Sequence, residues 1–191
     1  GRATPADIEW LHLLVTDLQL LADLAFADMV IWVPSTDGSF VAAALSRPSG
    51  AATLFYRDVV GQEIKPVWRK QVTEAFETGR IVDTDAPDWY GEAATHVRAV
   101  PVFRRLNASG SATSEHPVAV LTRHSNLSEA RTPSRQELSF NQCANDLFAM
   151  IAGGDFPDLA APSVPRRAAP RPDRARRRGP GTPASRARSA A

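Results

Sequence analysis

Val118-Ala119-Val120-Leu121-Thr122-Arg123-His124 leads through a polar turn into Ser134-Arg135-Gln136-Glu137 and an apolar-periodic run that stops at Gly153-Gly154-Asp155-Phe156-Pro157. The first piece is short, apolar and β-branched, as a buried strand is. Ser134 and Glu137 have the spacing of a capping box, although Thr132-Pro133 offers a cap one turn earlier. A helix is predicted from about Ser134 to Ile151. Phe140, Ala144, Leu147 and Ile151 form its main apolar stripe, with Cys143 and Met150 beside it. The glycine pair ends it. These residues form no catalytic constellation, so the segment reads as scaffold.

Upstream, Thr4-Pro5-Ala6-Asp7 is a helix start: a threonine cap, proline at the first helical position and an acid at the third. The helix is expected to reach about Asp23. Ile8, Leu11, Val15, Leu18 and Ala22 recur at alternating spacings of three and four, an a/d seam that predicts a homodimer. A second apolar set, Trp10, Leu14, Leu21 and Leu24, lies partly off it, so one wide buried face is the alternative.

Met29 to Pro34 reads as a buried strand, Ser35-Thr36-Asp37-Gly38 as a hairpin turn, and Phe40 to Leu45 as the returning strand. Thr53 to Tyr56 suggests a short third strand. A helix follows from about Lys65 to Thr78, ended by Gly79, then a short strand at Ile81-Val82. Asp83 to Thr95 reads as a loop. His96 to Phe103 reads as a strand whose Pro101 suits an edge or a bulge. The order implies an α+β fold: a central antiparallel sheet with N- and C-terminal helices packed together on one face.

Composition divides the 191 residues in two. Residues 162–191 hold nine arginines and six prolines, one acid (Asp173), and no Ile, Leu, Met, Phe, Trp or Tyr. That segment carries +8, which leaves −7 on residues 1–161 within the net +1. Residues 1–160 are therefore expected to form the folded domain and 161–191 a disordered Arg/Pro/Ala-rich tail. The tail is read as a linker, a truncated end or a frame-shifted end. The alternative is a nucleic-acid-associated protein using that basic tail. Missing aromatics for base stacking and an acidic folded part make nucleic acid an unfavoured partner.

The single cysteine, Cys143, forms no internal disulfide, which fits a cytoplasmic protein. No apolar run approaches the roughly 18 residues of a membrane span. The first residue is Gly1 rather than Met, which leaves room for a missing N-terminal segment.

Several pieces in order carry a family resemblance. They are Asp17 to Asp28 before a tryptophan-containing strand, Val97-Arg98-Ala99-Val100-Pro101-Val102, Ala119 to Leu127, Pro133-Ser134 with Glu137-Leu138, and Asp146 to Pro157. Together they resemble the N-terminal GAF-like sensory domain of actinobacterial sensor histidine kinases of two-component systems, over about Asp7 to Pro157. The resemblance implies a parent with downstream PAS and kinase domains and a cognate response regulator. No kinase core is visible here, so this fragment is expected to be no enzyme by itself. The signal and any cofactor stay unknown.

GAF-like domains usually bind ligands between the sheet and a loop such as Asp83–Thr95. On that basis a small-molecule ligand would meet Trp32, Asp83, Trp89, Tyr90, His96, Arg98 and His124. Plainer readings stand beside each: a core tryptophan for Trp32, turn-forming carboxylates for the aspartates, an acid partner for Arg98. His96 and His124 lie on strands expected to be neighbours, which would let both face one pocket. The four histidines lack metal-ligand spacing, and no metal is expected.

Overall fold

Thr4 caps the first helix as its sequence predicts. Its hydroxyl accepts from the Asp7 N–H at 3.2 Å, and the Asp7 carboxylate accepts from the Thr4 N–H at 2.9 Å. The computed structural model describes residues 3–84, 87–90, 93–128 and 132–157. The basic tail predicted over 161–191 lies outside the described residues. So does part of the predicted Asp83–Thr95 loop, and the side chain of Tyr90 with it.

In chain order the elements are α1 (Pro5–Thr16), α2 (Leu18–Ala25), β1 (Asp28–Pro34), β2 (Phe40–Ser46), α3 (Pro66–Thr78), β3 (Val82–Asp83), β4 (Asp88–Tyr90), β5 (Ala93–Val102), β6 (Ala119–Asn126) and α4 (Arg135–Ala152). The strands form one antiparallel sheet in the order β2-β1-β6-β5-β3, with β4 also pairing β5. Each strand sends alternate residues to opposite faces. Met29, Ile31, Val100, Val102, Ala119 and Leu121 pack with α1, α2 and α4. Val30, Trp32, Val97, Ala99 and Val120 pack with Trp68, Val72 and Ala75 of α3. The terminal helices therefore share one face, and α3 covers the other.

Pro101 pairs with Val120 of β6, beyond the point where β3 pairs with β5 at Val82–Ala99. Its missing N–H thus costs no ladder bond on that outer edge. Gly79 closes α3 at φ 64°, a left-handed position that a side chain resists. A Cβ there would also come within 2.9 Å of Phe103.

Five expectations are corrected. The N-terminal helix is two helices, broken at Asp17, whose N–H bonds back to Leu14 and Val15 carbonyls. With that break, Leu11, Leu18 and Ala22 of the predicted dimer seam are buried in the chain's own core, while Ile8 and Val15 stay exposed. In so short a helix the seam and one wide buried face share the same spacing, and the core claimed most of it. Thr53 to Tyr56 is no strand, because its polar atoms turn to the Asp28 carboxylate instead of a neighbouring ladder. Asp83 to Thr95 is not all loop, since three residues of it form β4 against Ala93–Thr95. In α4 the deeply buried residues are Ala144, Phe148 and Ile151, while Cys143 and Met150 are exposed.

Leu21 is fully buried and its neighbour Leu20 is 51% exposed. Leu21→Ala is expected to lower unfolding free energy by about 2–5 kcal/mol. Leu20→Ala should change it by no more than about 0.5 kcal/mol. Urea denaturation of both variants checks this, and equal losses would contradict the assigned face of α2.

Candidate functional site

β6 places a polar group inside the α3 face. The Trp32 indole N–H donates to Thr122 Oγ1 at 2.8 Å, and Thr122 Oγ1 lies 2.8 Å from His124 Nε2. An indole nitrogen only donates, so the threonine oxygen accepts from it. Thr122 Oγ1 also lies within donating distance of the Val30 carbonyl, at 3.4 Å, so it donates to or accepts from His124 Nε2 according to the imidazole tautomer.

Aromatic rings close this group from above. The edges of Phe55 and Trp68 meet His124 with centroids at 4.9 and 4.8 Å. Trp32 and Trp68 lie 6.2 Å apart, and Phe55 and Trp68 5.3 Å apart. His124 is fully buried, and desolvation pushes its pKa down to about 3. It is a neutral side chain at any physiological pH.

Asp28 explains why Phe55 sits there. It pairs with His124 across β1 and β6 and faces the same side. Its carboxylate accepts from Thr53 Oγ1 at 2.7 Å and from the Leu54 N–H at 2.6 Å. Arg47 Nε donates to the Phe55 carbonyl at 2.5 Å. Burial raises the Asp28 pKa, and the hydrogen bonds from Leu54 and Thr53 pull it partly back, with the Arg47 charge assisting. Two charged residues thus tie residues 53–55 down over the sheet.

The opposite face of β5 and β6 carries a charged cluster. Arg98 donates to both Asp83 oxygens, from Nε at 2.7 Å and Nη2 at 3.1 Å, and from Nη1 to Asn145 of α4 at 2.8 Å. His96 Nε2 stands 3.8 Å from Asp83. Arg123, paired with Arg98 across the strands, donates from Nη2 to Asn141 of α4 at 3.0 Å and to the Ala25 carbonyl of α2 at 3.4 Å.

The predicted ligand residues are therefore divided. Trp32 and His124 belong to the α3 face, and Asp83, His96 and Arg98 to the helix face. The expectation that His96 and His124 face one pocket is corrected: His124 pairs with Val97, not His96, and one residue of offset reverses the face. Trp89, on β4, is 66% exposed and covers no part of the His124 group. Asp28, Thr122 and Arg123 went unnoticed in the sequence. The signal that could have found two of them is a charged residue inside an apolar strand run, at Asp28 and again at Arg123. Among the described residues, no group of three or more His, Cys, Asp or Glu could hold a metal ion. No described helix is long and apolar enough to cross a membrane.

Residues 2–144 match the family described as the GAF domain of the histidine kinase PdtaS. The sensor histidine kinase PdtaS of Mycolicibacterium smegmatis is 37% identical over 155 residues, 80% of this chain and 29% of the relative. The Mycobacterium tuberculosis PdtaS is 33% identical over 160 residues, 83% of this chain and 31% of the relative. The chain thus spans less than a third of these relatives' length. A solved structure of the sensor region of a sensor histidine kinase superposes with a TM-score of 0.65 at 30% identity, covering 87% of this chain and 53% of that one.

The neutral His124 makes stability depend on pH with a definite sign. Its folded pKa of about 3 lies below the ordinary 6.5, so the unfolded chain binds a proton that the folded chain refuses. Stability from this group is complete above about pH 6.5 and lost as pH falls towards 3, by up to about 1.4 kcal/mol per pH unit. Asp28, with its raised pKa, acts in the opposite sense and grows less costly as pH falls. His124→Gln is expected to flatten the wild-type decline in the urea midpoint between about pH 6 and pH 4. An unchanged slope in the variant would count against a neutral buried imidazole.

Proposed function

This chain belongs to the GAF-domain family of the histidine kinase PdtaS, and we propose that it receives a signal for a larger two-component sensor kinase and transmits it through its terminal helices. The adjacency of Arg123 and His124 in β6 carries this reading. His124 faces the aromatic layer of Phe55 and Trp68, where this proposal places the ligand. Arg123 reaches both α2 and α4 on the other side. A shift of β6 on one face is therefore felt by the terminal helices on the other. Packed cores have discrete arrangements, so a small displacement is converted into a choice between two helix positions.

Under this proposal the small-molecule signal enters beside Trp32 and His124 by lifting Phe55. The clamp from Asp28 and Arg47 sets the resistance to that motion. Asp83, His96 and Arg98 then act on the transmitting face rather than as ligand contacts. Trp89 and Tyr90, on the short β4, are left as candidates for contact with a neighbouring domain. Residues 1–160 make up the sensory domain and 161–191 the tail that follows. This chain by itself is no enzyme. The parent protein autophosphorylates a histidine, donates the phosphate to a response regulator, and works in the cytoplasm. The identity of the curated relatives as sensor histidine kinases supports that reading.

The homodimer proposal narrows to the seam residues that remain exposed, Ile8 at 46% and Val15 at 40%. Sedimentation of the full chain is expected to show a dimer, and the double variant Ile8→Asp, Val15→Asp a monomer. A wild-type chain that stays strictly monomeric at high concentration would remove dimerisation from the mechanism.

In the parent kinase, Phe55→Ala is expected to change the autophosphorylation rate without changing the KM for ATP. A rate identical to wild type would sink the proposed route through the aromatic layer.

A further inference from the structure

Two consecutive arginines just beyond β5 hold two distant parts of the chain. Arg104 Nε donates at 2.7 Å to Asp7 Oδ1, in the first turn of α1, and both side chains are largely shielded from water. Arg105 Nη2 pairs with Asp155 Oδ1, just after α4. These contacts span 97 and 50 positions of sequence. The other Asp7 oxygen accepts from the Thr4 N–H at 2.9 Å and from the Thr4 hydroxyl at 2.7 Å. The carboxylate that caps α1 is therefore the one that meets Arg104.

Residues 103–118 form a folded strap between β5 and β6. Arg105 bridges to Thr113, the Leu106 N–H donates to the Ala112 carbonyl at 2.8 Å, and the Ser114 N–H to the Arg104 carbonyl at 2.8 Å. Ser114 Oγ accepts from the Arg104 N–H at 3.2 Å and donates to the His116 carbonyl at 2.8 Å. At the root of the strap the Phe103 N–H donates to the Ile151 carbonyl of α4 at 3.4 Å. Beyond α4, Gly154 lies flush against it. Its φ is 71°, and a Cβ there would come within 2.6 Å of Thr113 Cγ2, so glycine alone allows this approach.

Apolar burial contributes little to the attachment. No residue from Arg104 to His116 is deeply buried. A cavity of about 440 Å³ separates the strap from Asp7, Pro34 and Phe76. Partly exposed ion pairs are individually weak, and a segment that rests mainly on them opens at small cost.

We propose that residues 103–118 are a latch that closes on the start of α1 and on the segment after α4 together, and that loosens both when either ion pair is broken. The coupling is mechanical. Consecutive Cα atoms are held about 3.8 Å apart by a planar peptide, so displacing one guanidinium displaces the base of the other. The closed latch fixes where the chain leaves α4 relative to where α1 begins. It needs neither a ligand nor a kinase, and so stands apart from the signal route through Phe55 and β6. Its ionic closure makes it sensitive to salt.

Amide hydrogen exchange on the full chain tests this. The reporters are Ile8, whose N–H bonds to the Thr4 carbonyl, and Gly154 and Asp155, whose N–H groups bond to Ile151 and Met150 carbonyls. Amides of β1 and β6 serve as controls. Asp155→Asn is expected to speed exchange by about two- to fivefold at all three reporters, the effect of losing one ordinary exposed ion pair, and not at the controls. Exchanging the charges, with Arg105→Asp and Asp155→Arg together, should restore the wild-type rates. Gly154→Ala keeps every charge and pushes Thr113 away, so it should also speed all three, and it serves even where Asp155→Asn does not fold. In the wild type, raising salt until the screening length falls from about 30 to about 3 Å should speed the three together. Faster exchange at Gly154 and Asp155 with Ile8 unchanged, in either single variant, overturns the latch. So does a charge exchange that leaves Ile8 fast.

Discussion

The pairing register of β5 with β6 is the constraint on which the rest depends. Val97 stands opposite His124, and Arg98 opposite Arg123. Because side chains alternate, this register sends Val97, Thr122 and His124 to the α3 face and Arg98 and Arg123 to the helix face. A slip of one residue in β6 would carry the Arg123 guanidinium in among Trp32, Phe55 and Trp68 and send Val120 to the helix face, and a slip in β5 would do the same to Arg98 and Val97. Neither arrangement is tolerable, so the apolar alternation and the two arginines together hold the strands in place. The helix side answers with Asn145 on Arg98 and Asn141 on Arg123, one turn apart on α4.

Elements governed by local rules were legible in the sequence. The capping boxes at Thr4–Asp7 and Ser134–Glu137, the turn at Ser35–Gly38 and the stop at Gly79 all depend on residues three or four apart. What escaped depends on distant partners. β4 exists because Asp88–Tyr90 meets Ala93–Thr95, and three residues carry too little pattern to announce it. Thr53 and Leu54 look like strand residues until Asp28, 25 and 26 positions away, captures their donors. Phe148 lay within the helix pattern, but the stripe chosen from spacing ran one residue to its side.

The candidate site was legible by composition and not by arrangement. Trp32, Asp83, His96, Arg98 and His124 are all structurally engaged, yet a sheet separates them. No feature of the strand sequences alone states whether His96 or Val97 opposes His124. That follows from a register set by two loops and by the burial of both faces. Arg123 was visible as a charge inside an apolar run, but its partners depend on which groups the helices bring to it. Asp28 likewise gains its meaning from the Thr53–Phe55 segment that it anchors.

The central claim is that the α3 face of the sheet is closed by the protein's own aromatic residues over a buried, neutral imidazole. Nitrogen-15 spectra of the His124 ring, recorded from about pH 8 down to pH 4 in the folded chain, test it directly. The account requires the neutral ring throughout, consistent with a pKa of about 3. A His124 ring that titrates near its ordinary 6.5 would show a water-filled pocket in place of a closed aromatic layer, and would contradict the account.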